Sequence, residues 1–175
     1  FAVVGLGAGS IVCHGRNNDQ WTYFEIDPAV VRIATDPGYF RFLSVCAPEA
    51  RMVLGDARLT LAKENKPYDA LLIDAFASDA IPVHLLTREA VQMYLSKIKT
   101  DGLLVLHISN RYLDLESVVA AIASDLGVEG RAKLDAVQKD EHLASGKAGS
   151  HVIALSHSPE DRKSTRLNSS HLVIS

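Results

Sequence analysis

The chain alternates short apolar runs with segments in which apolar residues recur every three to four positions. The first pattern is typical of β-strands and the second of amphipathic helices. Six runs predict strands: FAVVGL, WTYFEI, EARMVLG, YDALLID, GLLVLHIS and SHVIALS. Five segments between them predict helices, at Ser10 to Asn17, Pro28 to Thr35, Ala57 to Glu64, Thr87 to Lys99 and Leu115 to Leu126. Residues 128–149 mix glycine with charge and predict either a helix or an edge strand.

This alternation of strands and helices predicts an α/β fold. The run LLI at residues 71–73 is apolar on both faces, as expected when helices cover both sides of a parallel sheet. We therefore predict a doubly wound, mostly parallel sheet of the Rossmann-like kind. Two helix starts are also marked, because Pro28 after Asp27 suits a first helical turn and Thr87 suits an N-cap.

Composition narrows the class of protein. A chain of 175 residues with 47% hydrophobic and 22% charged residues is typical of one globular domain. The net charge is -3 and no basic stripe is present, so nucleic acid is not an expected partner. Cys13 and Cys46 form no C-x-x-C pair, and we interpret them as small core residues in a reducing compartment rather than as a zinc site or a disulfide.

The two ends of the chain lead to separate expectations. The sequence begins at Phe1 inside a predicted strand, so we expect a fragment whose N-terminal part is missing. We predict one domain over residues 1–160. Residues 161–175 have no periodic pattern, and RKSTRLNSSHLVIS resembles a translated sequencing adapter. We expect this segment to be a non-native, disordered tail.

A glycine-rich turn follows the first predicted strand. In VVGLGAGS, the residues Gly5, Gly7 and Gly9 would let the backbone turn sharply and let a ligand approach it, although a plain tight turn is the alternative. Glu25 ends the second predicted strand, where a carboxylate can accept both hydroxyls of a ribose or remain a solvated acid. Ser10 stands where the dinucleotide fingerprint G-x-G-x-x-G requires glycine, which disfavours a nicotinamide cofactor.

Further candidate residues follow the next strands. Asp56 could meet an adenine amino group or simply cap the following helix. Asp74 ends the fourth strand, where open α/β sheets bind ligands, and Asp79 follows in the same loop, so the pair would suit an amine. We interpret His84 as a packing or capping residue and His107 as a polar residue at a strand end. No H-x-x-x-H pair occurs, and we expect no metal.

Taken together, VVGLGAGS, YFEIDP, GDAR and LLIDAFASDAIP resemble the catalytic domain of the spermidine synthase (polyamine aminopropyltransferase) family. That family lies within the class I S-adenosylmethionine-dependent methyltransferase superfamily, and the likeness covers about residues 1–157. The resemblance implies that the glycine turn binds S-adenosylmethionine or its decarboxylated form. It also implies that Glu25 binds ribose, Asp56 meets adenine, Asp74 serves an attacking amine and Asp79 holds the charge of that substrate.

Two departures from the family pattern leave the function open. Ala8 stands where the family's GGGDGG has aspartate, and its D-x-x-D is stretched to Asp74 and Asp79. Three functions remain: a transferase moving an aminopropyl group to a small-molecule amine, a methyltransferase, and a catalytically silent nucleoside-binding regulatory module. The resemblance further implies a bacterial, cytoplasmic protein, with a membrane-embedded N-terminal region and a homodimer as candidate features of the full-length protein.

Overall fold

The architecture is a mixed sheet flanked by helices in the computed structural model, which describes residues 1–76, 81–110, 113–136 and 149–157 and the backbone of residues 172–174. The described strands are β1 (Ala2–Val4), β2 (Thr22–Glu25), β3 (Arg51–Leu54), β4 (Tyr68–Ile73), β5 (Ile98–His107), β6 (Glu129–Asp135), β7 (Ser150–Ser156) and β8 (Leu172–Ile174). Their order across the sheet is β3-β2-β1-β4-β5-β7-β6-β8. The first five of these strands are mutually parallel, and β7 is antiparallel to both of its neighbours.

Helices cover both faces of the central strands. They are α1 (Pro28–Thr35), α2 (Phe42–Cys46), α3 (Ala57–Ala62), α4 (Arg88–Leu95) and α5 (Leu115–Asp125), with 3-10 turns at Ser10–His14 and Val83–Leu85. Along β1, Ala2 and Val4 pack into a core with α3, α4 and α5, whereas Val3 packs into a second core with α1 and α2. A strand buried on both faces has to be apolar at every position. The predicted doubly wound, mostly parallel sheet is therefore confirmed.

The chain changes direction across the sheet at β1. Val3 pairs with Tyr23 of β2 on one side and with Leu72 of β4 on the other. The chain runs outward from β1 through β2 to β3, and then crosses back to β4 and β5 on the other side. Open α/β sheets bind ligands at such a switch point, outside the carboxyl ends of the strands. The fold thus predicts a ligand site at the loops that follow β1 and β4.

Several helix limits follow from local hydrogen bonds. Asp27 Oδ1 accepts the amide proton of Ala29 at 2.7 Å, and Thr87 Oγ1 accepts that of Ala90 at 3.2 Å, so both predicted helix starts are confirmed. The predicted helix from Ser10 to Asn17 is only a 3-10 turn, because Asp19 Oδ2 accepts the Arg16 amide and draws the chain into a turn. In the described part of the chain, no helix has the length and apolar content to cross a bilayer.

Several elements differ from prediction in their limits, in their position in the sheet or in their presence. The helix predicted to reach Lys99 ends at Leu95, and β5 already begins at Ile98. Within residues 128–149 the strand alternative is correct for Glu129–Asp135, which forms β6 between β7 and β8 rather than at an edge. Residues 137–148 lie outside the described part of the chain. Helix α2 was not predicted. Only one of its five residues, Leu43, is buried, so the sequence shows no helical period there.

Cys13 and Cys46 form a disulfide, so the interpretation as two free core cysteines was wrong. Both residues are exposed, and the bond joins the Ser10–His14 turn to α2 with a Cα–Cα distance of 5.0 Å. Their separation of 33 residues carries no local motif, and only the packing of α2 beside the glycine turn brings them together. Disulfides persist mainly in oxidising compartments, so the cysteines no longer argue for a reducing one.

The predicted tail is partly structured. Residues Leu172–Ile174 form β8, which pairs antiparallel with β6 through Ala132↔Leu172 and Gly130↔Ile174. This differs from the disorder expected for residues 161–175. Residues 158–171 and 175 lie outside the described part of the chain, and the domain limit at residue 160 stays a prediction.

Candidate active site

The carboxyl ends of the five parallel strands bring the predicted site residues that the structure describes, together with His107, to one edge of the sheet. Because these strands are neighbours and run in the same direction, the residues that end or follow them lie side by side. In strand order they are Asp56 after β3, Glu25 ending β2, Gly5 after β1, Asp74 after β4 and His107 ending β5. Asp79 lies outside the described residues.

The glycine turn is required by its backbone geometry. Gly5 has φ +94°, and a Cβ there would lie 2.3 Å from the carbonyl oxygen of Asp74. Gly9 has φ +74°, and a Cβ there would lie 2.8 Å from Cγ of Leu43. A side chain at either position would be strained and would also collide with a neighbour. These two glycines therefore let β4 and α2 approach the turn closely.

Gly7 differs from its two neighbours. It also has a left-handed backbone, with φ +52°, but among the residues that the structure describes nothing lies within 4 Å of a Cβ built there. Packing against the described residues therefore does not explain the missing side chain. Gly7 is exposed and follows β1 at the carboxyl ends of the parallel strands, a position where a glycine would allow a molecule to approach the peptide groups.

Glu25 is tied to the glycine turn. Its Oε2 accepts the amide proton of Leu6 at 2.9 Å, while its Oε1 accepts those of Ile26 at 2.8 Å and Asp27 at 3.0 Å. Its carbonyl oxygen also accepts the Gly55 amide at 2.8 Å, which joins the ends of β2 and β3. The side chain is thus fixed rather than freely solvated. A carboxylate has about four acceptor positions, so it can still accept a hydrogen bond from a ligand hydroxyl.

Asp56 caps α3, which confirms the helix N-cap interpretation of this residue. Its Oδ1 accepts the amide protons of Arg58 at 2.8 Å and Leu59 at 3.3 Å. Its second oxygen, Oδ2, lies 3.9 Å from Nε2 of His84. His84 is itself held from the same helix, because Nη1 of Arg58 donates to its carbonyl oxygen at 3.2 Å. Contact between Asp56 and adenine stays a prediction.

Asp74 is joined to a histidine that the sequence analysis did not place in the site. Its Oδ1 lies 2.6 Å from Nδ1 of His107, and the Nε2 of that ring lies 2.7 Å from Oγ of Ser109. The ring of Phe76 meets the His107 ring edge-on, with 4.8 Å between centroids. One sequence feature could have indicated that His107 belongs to the site, because His107 ends the strand that follows Asp74 along the chain, and that strand, β5, pairs with β4.

Large apolar side chains follow two of these polar residues in the sequence. Ile26, directly after Glu25, is 68% exposed, which is unusual for a large apolar residue beside a row of buried strands. In the segment after Asp74, the side chains of Ile81, Leu85 and Leu86 are buried in the core. In the described ranges, no group of three or more histidine, cysteine or acidic side chains is arranged to hold a metal ion.

One curated relative shows similarity in sequence. The polyamine aminopropyltransferase of Vibrio vulnificus (strain CMCP6) is 32% identical over 109 residues, which cover 59% of this chain and 35% of the relative. No family model matches the chain. The chain thus spans about a third of the length of that relative.

Solved structures show the same fold. A spermidine synthase in complex with the transition state analogue AdoDATO has a TM-score of 0.67 at 17% identity, covering 97% of this chain and 58% of its own. The chain is therefore similar to spermidine synthases in fold. Human methyltransferase-like protein 13 in complex with SAH has a TM-score of 0.64 at 19% identity, covering 91% of this chain and 72% of its own. The expected Rossmann-like class I methyltransferase fold is therefore confirmed, and these similar proteins are transferases.

Proposed function

We propose that this chain is the nucleoside-binding part of a transferase that uses decarboxylated S-adenosylmethionine to move an aminopropyl group to an amine. One observation carries the proposal. The Glu25 carboxylate is bonded to the Leu6 amide of the glycine turn, so an acid and an open backbone turn lie side by side at the ends of β1 and β2. Two of the three similar proteins described above, the aminopropyltransferase and the spermidine synthase, support the reaction class.

The residues at this edge fit a sulfonium nucleoside. Gly7 leaves room for the ligand beside the peptide groups, and the remaining acceptor capacity of Glu25 suits a ribose hydroxyl. The exposed side chain of Ile26 offers an apolar surface for one face of the adenine ring. Asp56 would accept from the adenine amino group through Oδ2, because its Oδ1 is used in capping α3.

Asp74 supplies the acid–base chemistry in this proposal. The lone pair of the amine nitrogen attacks the aminopropyl carbon next to sulfur, the C–S bond breaks, and its electron pair leaves with sulfur as a neutral thioether. Asp74 takes the proton that the nitrogen loses. Such proton transfer contributes about 100-fold to 10,000-fold, and alignment of the reactants can lower the barrier by roughly 7 to 11 kcal/mol. Asp79 is proposed to hold a second charge of the amine.

Ala8 favours a second candidate, methyl transfer from intact S-adenosylmethionine. An aspartate at this position would repel the carboxylate of the intact co-substrate and pair with the ammonium of the decarboxylated form. Alanine does neither. The fold is compatible with this candidate, since the human methyltransferase-like protein has it as well.

Product mass distinguishes the candidates. The protein is incubated with 1,4-diaminobutane and either co-substrate, and the amine product is weighed by mass spectrometry. Aminopropyl transfer adds a C3H7N unit and requires the decarboxylated form, whereas methyl transfer adds CH2 and requires the intact form. Asp74→Asn should retain co-substrate binding and reduce turnover at least 100-fold. Binding of either co-substrate without any product would contradict both enzyme functions and support a silent nucleoside-binding module.

The remaining expectations concern the full-length protein. A homodimer, a membrane-embedded N-terminal region and a cytoplasmic location stay proposals. Light scattering and fractionation of the full-length protein test them.

A further inference from the structure

Asp74 and His107 are paired by the register of two neighbouring strands. Ile73 of β4 lies opposite Leu106 of β5, so the next residues along, Asp74 and His107, lie opposite each other beyond that pair. Their side chains meet with 2.6 Å between Oδ1 and Nδ1. Both are open to solvent, since the side chain of Asp74 is 43% exposed and that of His107 is 26% exposed. The contact thus lies at the edge of the sheet formed by the carboxyl ends of the parallel strands.

A second pair of contacts fixes the other side of the ring. Nε2 of His107 lies 2.7 Å from Oγ of Ser109, and the same Oγ accepts the amide proton of His151 at 2.8 Å. His151 belongs to β7, the strand on the far side of β5. A continuous series of contacts therefore runs from the backbone of β7 through Ser109 and His107 to Asp74 at the end of β4.

The direction of these hydrogen bonds follows from what each group can do. A backbone N–H only donates, so Ser109 accepts from His151 and has its own proton free for Nε2 of a neutral imidazole. The other ring nitrogen, Nδ1, then carries the proton and donates it to the carboxylate of Asp74. If the imidazole gains a second proton, Nε2–H donates to Ser109 and Nδ1–H still donates to Asp74. The carboxylate receives a donor in both states.

We infer that His107 is a positioning residue for Asp74. Its Nδ1–H holds Oδ1 and so leaves Oδ2 for the amine, while Ser109 fixes the rotation of the ring. The inference rests on the proposed function in so far as it assigns the amine to Asp74. The contacts link a serine, a histidine and an aspartate in the same order as in the catalytic triad of serine hydrolases. Here, however, Ser109 Oγ accepts the amide proton of His151 and holds the His107 ring in place.

Loss of the donor should affect turnover more than binding. Without His107 the Asp74 carboxylate can rotate away from the amine, and misplacement of a reacting group by 1 Å can cost about 100-fold. We expect H107L to lower kcat by about 10-fold to 100-fold. KM for the co-substrate should change less than about 3-fold, because the glycine turn and Glu25 are untouched.

Rescue by asparagine separates positioning from packing. The amide NH2 of H107N can stand in for Nδ1–H, so this variant should recover kcat to within about 5-fold of the wild type. H157L is the matched control, because His157 bonds to the Leu95 carbonyl beyond the opposite end of β7, where Ser156 pairs with Leu103. An H107L enzyme as fast as the wild type, or an H107N enzyme as slow as H107L, would overturn the inference.

A spectroscopic measurement decides the inference independently of the proposed reaction. Two-bond ¹⁵N–¹H correlation spectra of the histidine rings in the wild-type protein, assigned with H107N, report which ring nitrogen carries the proton. We expect Nδ1 of His107 to be protonated whether the ring is neutral or charged. A neutral ring with its proton on Nε2 would refute the inference. If the wild type transfers no group to the amine, the proposed function fails, and the ring spectrum still decides the role of His107.

Discussion

Replacing Glu25 by glutamine tests whether this acid both holds the glycine turn and binds the nucleoside. The carboxylate accepts three amide protons, from Leu6 through Oε2 and from Ile26 and Asp27 through Oε1. Glutamine has one side-chain oxygen. If this oxygen takes the place of Oε1, the NH2 group faces the Leu6 amide, and two donors oppose each other. Hydrogen bonds to charged groups contribute about 1.5 to 3 kcal/mol, so the free energy of unfolding should fall by about that amount.

Urea denaturation and calorimetry measure the two effects of Glu25→Gln separately. In a domain of this size, the loss of stability corresponds to a melting temperature lower by about 3 to 12 °C. Affinity for S-adenosylmethionine should fall by about 10-fold to 100-fold, equivalent to about 1.4 to 2.8 kcal/mol. Glu49→Gln is the matched control, because Glu49 is exposed, and it should change stability by less than about 0.5 kcal/mol. Stability equal to the wild type would refute the structural role, and unchanged affinity would remove Glu25 from the binding site.

Three other changes test separate parts of the structure. Replacing Cys13 and Cys46 together by serine should lower the free energy of unfolding by up to about 4 kcal/mol, which is the loop-closure value for a separation of 33 residues. An unchanged midpoint of urea denaturation would contradict this. Tyr94→Phe removes a buried hydroxyl that has no hydrogen-bond partner among the described residues. The free energy of unfolding should therefore stay equal or rise by about 1 kcal/mol, and a decrease of more than about 1 kcal/mol would contradict this. Ala8→Asp should shift the ratio of the two co-substrate dissociation constants toward the decarboxylated form by about 1 to 3 kcal/mol, whereas an unaltered ratio would place selectivity elsewhere.

The sheet could be predicted because its signals are local. The central strand β1 is apolar at every position, and this follows directly from its burial between two helical layers. The start of α1 was equally visible, since Asp27 caps it from the adjacent position. By contrast, α2 has one buried side chain and β8 has three residues, so neither has enough residues to show a period.

The sequence predicted which site residues lie at the ends of strands, but not which groups they contact. The position of Glu25 at the end of β2 was correctly predicted, but its bond to the Leu6 amide depends on the conformation of the turn that follows the neighbouring strand β1. The pairing of Asp74 with His107 depends on strand order, which sequence alone does not state. The disulfide depends on α2 packing beside the turn, and it is the same close approach that requires glycine at position 9.

The central claim is that a nucleoside binds against the open backbone at Gly7, and methylthioadenosine is a suitable probe for calorimetry. Gly7 and Gly127 both have left-handed backbones, and within the described ranges neither has a neighbour within 4 Å of an added Cβ. Alanine should therefore cost each about 1 to 2 kcal/mol of backbone strain. Only Gly7→Ala places a methyl group where the ligand would lie. We predict that Gly7→Ala weakens binding of methylthioadenosine by at least about 30-fold while Gly127→Ala stays within about twofold of the wild type; equal dissociation constants for all three proteins would contradict the account.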